Sequence, residues 1–163
     1  MIQTQREAFS LLVALSVIII MATVAVLTLN MTGKSVRGTT AQYQKEQAIL
    51  LAKSYTELAI MAVTANDRNN IYSAGNNCLE DIDGLVGNDA NNGEGYRIRT
   101  RISYIGDNRF GNCSATRVLS NSVITPETPL NIIVDVYVEY KELDHPGSTS
   151  PWITYHRRTL QKI

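Results

Sequence analysis

Residues 8–29 read Ala8-Phe9-Ser10-Leu11-Leu12-Val13-Ala14-Leu15-Ser16-Val17-Ile18-Ile19-Ile20-Met21-Ala22-Thr23-Val24-Ala25-Val26-Leu27-Thr28-Leu29, a run of 22 residues without a charge. As a helix rising about 1.5 Å per residue, the run spans about 33 Å, enough to cross the hydrocarbon core of a bilayer. That length excludes a fully soluble, cytosolic globule. The whole-chain averages hide the run: 163 residues, 44% hydrophobic, with a mean hydropathy of -0.08. Fifteen basic and fifteen acidic side chains cancel to zero net charge, so no nucleic-acid partner is expected from bulk charge.

Three readings compete for this segment: a cleaved secretory signal, a plain membrane anchor, and the helix of a processed filament subunit. A secretory signal has a shorter apolar stretch followed by a small-x-small cleavage site. Here the run is too long, and Asn30-Met31-Thr32-Gly33-Lys34 after it offers no such site, leaving only Ala22 and Ala25 inside the run. Basic residues do not orient the segment, because Arg6 and the α-amine precede it while Lys34 and Arg37 follow it. The two cysteines, Cys78 and Cys113, both lie beyond the run and suit one disulfide in an oxidising compartment rather than a four-ligand zinc site. This favours an extracytoplasmic C-terminal part.

The junction Gln5-Arg6-Glu7-Ala8-Phe9-Ser10-Leu11-Leu12 resembles the maturation site of type IV pilins and type II secretion pseudopilins. In that family a short polar leader ends in Gly, sometimes Ala, before a Phe-led apolar helix. The resemblance implies a leader at residues 1–8, cleavage between Ala8 and Phe9 by a prepilin peptidase, and N-methylation of Phe9. It implies a single-pass protein of the bacterial inner membrane with its C-terminal head in the periplasm, later joining other pilin-like subunits in an extracytoplasmic filament. Val13 departs from the pattern, since the family usually has Glu four residues after the Phe, where it meets the methylated amine of a neighbour. Some minor subunits also lack that Glu, so Val13 points to a minor subunit, at a tip or in initiation. Pilus and secretion pseudopilus both remain open. Within the helix, Val13, Ser16, Thr23, Asn30 and Gly33 are the candidate assembly positions, and Asn30 with Gly33 marks the weak point where the family bends or locally melts its helix on assembly.

Beyond Gly33 the pattern turns amphipathic without a proline. Leu51, Tyr55, Leu58 and Ala62 recur at i, i+4, i+7 and i+11, with Ala48, Ala52 and Ala59 widening the stripe. Lys45, Glu46, Lys53 and Glu57 fall outside it. Thr64-Ala65-Asn66-Asp67 ends the pattern. The expected helix covers residues 9–66, with its transmembrane part at about 9–30, and would be about 87 Å long. The competing arrangement is an anchor, a short linker and a separate helix.

Residues 67–163 read as a β-rich head. Tyr96, Ile98, Thr100, Ile102 and Tyr104 alternate with Arg97, Arg99, Arg101 and Ser103, and two more strands are expected at residues 132–140 and 152–160. Residues 87–95 read as an exposed loop and residues 143–151 as a hairpin connection. Such strands packed on the amphipathic helix make an α+β fold, a long N-terminal helix on a small antiparallel sheet; this is also the pilin plan. A Cys78–Cys113 bridge would stabilise so small a head by about 3–4 kcal/mol on the chain-entropy argument. Its position departs from the near-terminal pair common in major pilins.

Candidate chemistry is sparse. Arg97, Arg99 and Arg101 could bind anions, but Asp135 and Glu139 recur at the same spacing and could answer them across strands. Asp81, Asp83, Asp89, Asn91 and Glu94 offer oxygens for calcium, as in some pseudopilins. Gly93 and Glu94 break the EF-hand template, and no other cofactor is suggested. His145 and His156 belong to no catalytic motif, and no phosphate-binding glycine loop precedes a helix, so an enzyme is not expected. Two functional classes remain: a structural filament subunit and a membrane-tethered extracytoplasmic binding domain.

Overall fold

The computed structural model describes residues 3–66, 78–106, 113–123, 130–142 and 149–163, with side chains from Leu11 onward. The chain divides into two units, Met1–Gln42 and Tyr43–Ile163. Helix α1, Gln3–Ala65, supplies nearly all of the first and a helix of the second.

In the first unit the helix carries no proline and no charge over its apolar run. From Leu11 to Leu29 every side chain is exposed, so the apolar surface goes all the way round. A helix hydrophobic on all sides is built for an apolar surrounding rather than for one core face. The segment is long and apolar enough to cross a membrane. Helical structure continues through Asn30 and Gly33, the expected weak point, in this unassembled chain. One helix therefore replaces the anchor, linker and separate helix of the competing arrangement.

In the second unit the end of α1 packs on a five-stranded sheet, giving an α+β fold. The strands are β1 (Asp81–Asp89), β2 (Glu94–Gly106), β3 (Val118–Ser120), β4 (Leu130–Tyr140) and β5 (Ile153–Lys162), in the order β1-β2-β4-β5. The three long alternating runs are β2, β4 and β5, joined antiparallel as their patterns predict, with Arg97 opposite Glu139 and Tyr137 opposite His156. β3 pairs parallel with β2, taking over the β1 side of β2 at Tyr104, where β1 has ended opposite Arg101.

The stretch read as a loop at residues 87–95 is instead the end of β1, a 3₁₀ turn at Ala90–Asn92 and the start of β2. Its glycines and aspartates suit a twisted edge strand as much as a loop. Gly87 and Gly93 take positive φ values of 100° and 88°, and a register shift between Gly87 and Asp89 bends the edge. The hairpin connection expected at 143–151 lies mostly outside the described residues.

Alternation splits the sheet into two faces. Ile98, Thr100, Ile102 and Tyr104 of β2 join Ile132, Val134, Val136, Val138 and Tyr140 of β4 under the helix. Opposite them the buried helical residues are Gln44, Ala48, Ala52, Thr56, Ala59 and Val63. The alanines expected to widen the stripe are thus its centre. Leu51, Tyr55 and Ala62 flank it, and Leu58 is 43% exposed. Small side chains on the buried face let the helix axis approach the sheet, which larger residues at those positions would prevent. Gln44 closes one end of this contact by donating from Nε2 to the Lys141 carbonyl at 3.0 Å, and the Tyr96 hydroxyl donates to the Gln44 carbonyl.

Tyr55 lies directly over Gly84 of β1, where an added Cβ would stand 2.0 Å from the tyrosine hydroxyl and 2.8 Å from ring carbon Cζ. Gly84→Ala forces the ring aside and should lower head stability by about 1–3 kcal/mol. Urea denaturation of the variant checks this, and an unchanged midpoint would contradict the contact.

Candidate assembly helix and ionic sheet face

The candidate site residues fall in separate regions. Ala8 and Phe9 belong to the first turns of α1, and their side chains are outside those described. Val13 is 45% exposed and Asn30 is exposed, while open space surrounds Gly33. Ser16 and Thr23 turn their hydroxyls onto the helix itself, donating to the carbonyls of Val13 at 2.7 Å and Ile20 at 2.8 Å. Thr28 and Thr32 do the same toward Ala25 and Thr28. From Leu11 to Leu29 each hydroxyl thereby satisfies its donor locally, as an apolar environment requires. What remains outward is hydrocarbon, suited to lipid or to other helices.

Cys78 and Cys113 are bonded, with their Cα atoms 4.9 Å apart. The bridge ties the approach to β1 to the approach to β3. Nearby, Glu80 accepts from the Ser114 hydroxyl at 3.0 Å, and Tyr104 donates to the Leu79 carbonyl at 2.5 Å.

The carboxylates considered for calcium do not converge. Asp83 accepts from Arg101 at 2.6 Å, and Asp81 lies 3.4 Å from Arg101 and 2.8 Å from Arg117. Six residues further along β1, about 20 Å at the rise of a strand, Asp89 caps the 3₁₀ turn by accepting from the Asn91 amide and from the Asn92 side chain. Glu94 stands opposite Asp89 at that far end. Among the described residues no group of three or more His, Cys, Asp or Glu side chains is placed to hold a metal ion.

The sheet face turned away from the helix is a lattice of ion pairs. Arg97 and Arg99 converge on Glu139, whose side chain is nearly buried. Arg101 pairs with Asp81 and Asp83 rather than with Asp135, which corrects one half of the expected pairing. Asp135 instead faces β5, holding Arg158 at 2.7 Å and His156 at 2.7 Å. His156 also stacks on Tyr137 with 4.4 Å between ring centres. Trp152 covers the other end of the lattice, with the Arg97 guanidinium 4.4 Å and the Lys141 ammonium 5.0 Å from its ring. Sequence reasoning missed the Trp152 and Asp135 clusters because both depend on the β4–β5 register; the period-2 pattern of β5 was the signal available.

Burial raises the proton affinity of the Asp135 carboxyl, but hydrogen bonds from Arg158 and His156 outweigh it and hold the group below the ordinary carboxylate range. Burial, with the neighbouring Tyr140 and Tyr43, raises the Tyr96 hydroxyl. Hydrogen bonding to Asp83 raises the Arg101 guanidinium. The Asp135 and Arg101 shifts thus belong to structural ion pairs.

No family profile, curated protein or solved structure matches the chain.

Because the folded pKa of Asp135 is depressed, its contribution to stability is complete above the ordinary value of 3.8 and is lost as pH falls through the folded value. Asp135→Asn should therefore flatten the acid limb of the stability profile below about pH 4. Urea midpoints at pH 7 and pH 3 measure this; parallel losses in both proteins would contradict the assignment.

Proposed function

We propose that this chain is a minor pilin or pseudopilin-like structural subunit of a type IV pilus or type II secretion filament, without enzymatic activity. The observation that carries the proposal is one helix whose first part is apolar on every side and whose last part packs on a small sheet, with Ala8-Phe9 at the head of the apolar run. Prepilin peptidase processes the inner-membrane precursor, and the mature helix then leaves lipid for the company of other pilin-like helices. The head, with its disulfide, lies in the periplasm and later outside the cell.

Val13 supports a place at the tip or at the start of assembly. A methylated amine buried beside an apolar side chain is an uncompensated charge, which is costly. A subunit with no neighbour requiring that contact, at the tip or at the start of assembly, escapes the cost. The rival is a single-pass anchored extracytoplasmic binding domain that never assembles, and it needs no processing at Phe9.

The mass of the mature N-terminus from native envelopes separates the two. The expected product begins at an N-methylated Phe9. Intact Met1 would contradict the filament reading, and cleavage after Ala22 or Ala25 would identify an exported soluble protein.

A further inference from the structure

Strand β5, Ile153–Lys162, ends the order β1-β2-β4-β5 and pairs with β4 along its whole length. Among the described residues no strand pairs with its other edge. A strand paired on one side only leaves alternate N–H and C=O groups of the other side open, and sheets often guard such an edge by keeping it short, bulged or covered. This edge is 10 residues long, and its register with β4 runs unbroken from Ile153 opposite Tyr140 to Lys162 opposite Asn131.

The charges along the edge are of one sign. Arg157, Arg158 and Lys162 lie in β5, which has no carboxylate side chain. Arg158 stands on the ionic face, where Asp135 holds it. Arg157 stands on the opposite face, in register with the fully buried Val136. Its Nε is buried without an acceptor, and among the described residues no carboxylate pairs with its guanidinium. A buried donor left without an acceptor is costly, and a guanidinium presents its N–H groups as a fork that the two oxygens of one carboxylate fit. Tyr155 and Thr159, two residues to either side on the same face, are uncharged, which confines the demand for an anion to one position.

The occupant that answers Arg157 is therefore acidic, and the open backbone groups require it to be extended. A second copy of this chain does not supply it. β5 laid on β5 has no carboxylate to offer in any register, and Ile82, Gly84 and Val86, which β1 pairs on the helix-covered face, are uncharged. A helix does not supply it either, because its own backbone groups are already bonded within it.

We infer that the free edge of β5 takes up an extended acidic segment of another protein as an added strand, with an aspartate or glutamate beside Arg157 and β-branched residues two positions to either side. Main-chain hydrogen bonds to β5 supply the attachment, and the carboxylate selects the register and the partner. The inference stands apart from the filament proposal, because the edge belongs to the head whether or not the chain assembles.

The test uses the full-length chain in detergent micelles and two labelled probes, a short peptide alternating valine and threonine around a central glutamate and the same peptide with a central lysine. Fluorescence anisotropy should show the glutamate peptide binding about tenfold more tightly, the effect of one charge-assisted hydrogen-bonded pair. Arg157→Gln should abolish the preference and Arg157→Glu should reverse it; the comparison on the parent chain decides the matter even where a variant fails to fold. Hydrogen exchange should slow in β5 on binding and stay unchanged in β1. Equal binding of the two peptides to the parent, binding of neither, or protection confined to β1 would overturn the inference. Binding of neither, together with self-association of Arg157→Thr, would make Arg157 a guard against edge pairing instead.

Discussion

The close seating of an alanine-faced helix on the sheet is the contact on which the head depends. Ala48, Ala52 and Ala59 are fully buried in the core they share with β2 and β4. Tyr55 reaches over β1 because Gly84 leaves room for its ring. Gln44 bonds the backbone after β4. With the sheet's apolar face covered by the helix, its other face carries the ion pairs, where Glu139 gathers Arg97 and Arg99 and Asp135 gathers Arg158 and His156. Buried carboxylates so paired are weak contributors to net stability but strongly penalise a wrong register, because a one-residue slip would send them into the core.

The same helix meets different demands along its length. From Leu11 to Leu29 it has no polar face, and the hydroxyls of Ser16, Thr23 and Thr28 bond its own carbonyls. From Tyr43 onward it turns a face of small residues to its own sheet.

The long helix, the α+β class, the three principal strands and the disulfide were legible in the sequence because each rests on a period or on residue count. Charge-free length marks the apolar run, alternation marks β2, β4 and β5, and two cysteines leave one pairing. β1 was hidden because Gly84, Gly87 and its aspartates belong equally to loops and to edge strands, and only pairing with β2 decides between them. β3, three residues held by a parallel contact, has no local pattern to read. The buried face of the helix centres on its alanines and not on the bulky residues that set the stripe's phase in the sequence. Leu51 and Tyr55 instead sit at the margins, where there is room for them, and the alanines sit where there is not. The shared spacing of Asp135 and Glu139 with the arginines shows that cross-strand pairing is available, but it does not show that β1 brings Asp81 and Asp83 to Arg101.

The proposed role as a filament subunit is tested most directly by quantitative mass spectrometry of filaments sheared or extracted from the native host. The account predicts this chain in purified filaments, far below the abundance of the main subunit. Its complete absence from filaments, with the protein present in the membranes of the same cells, would contradict the account.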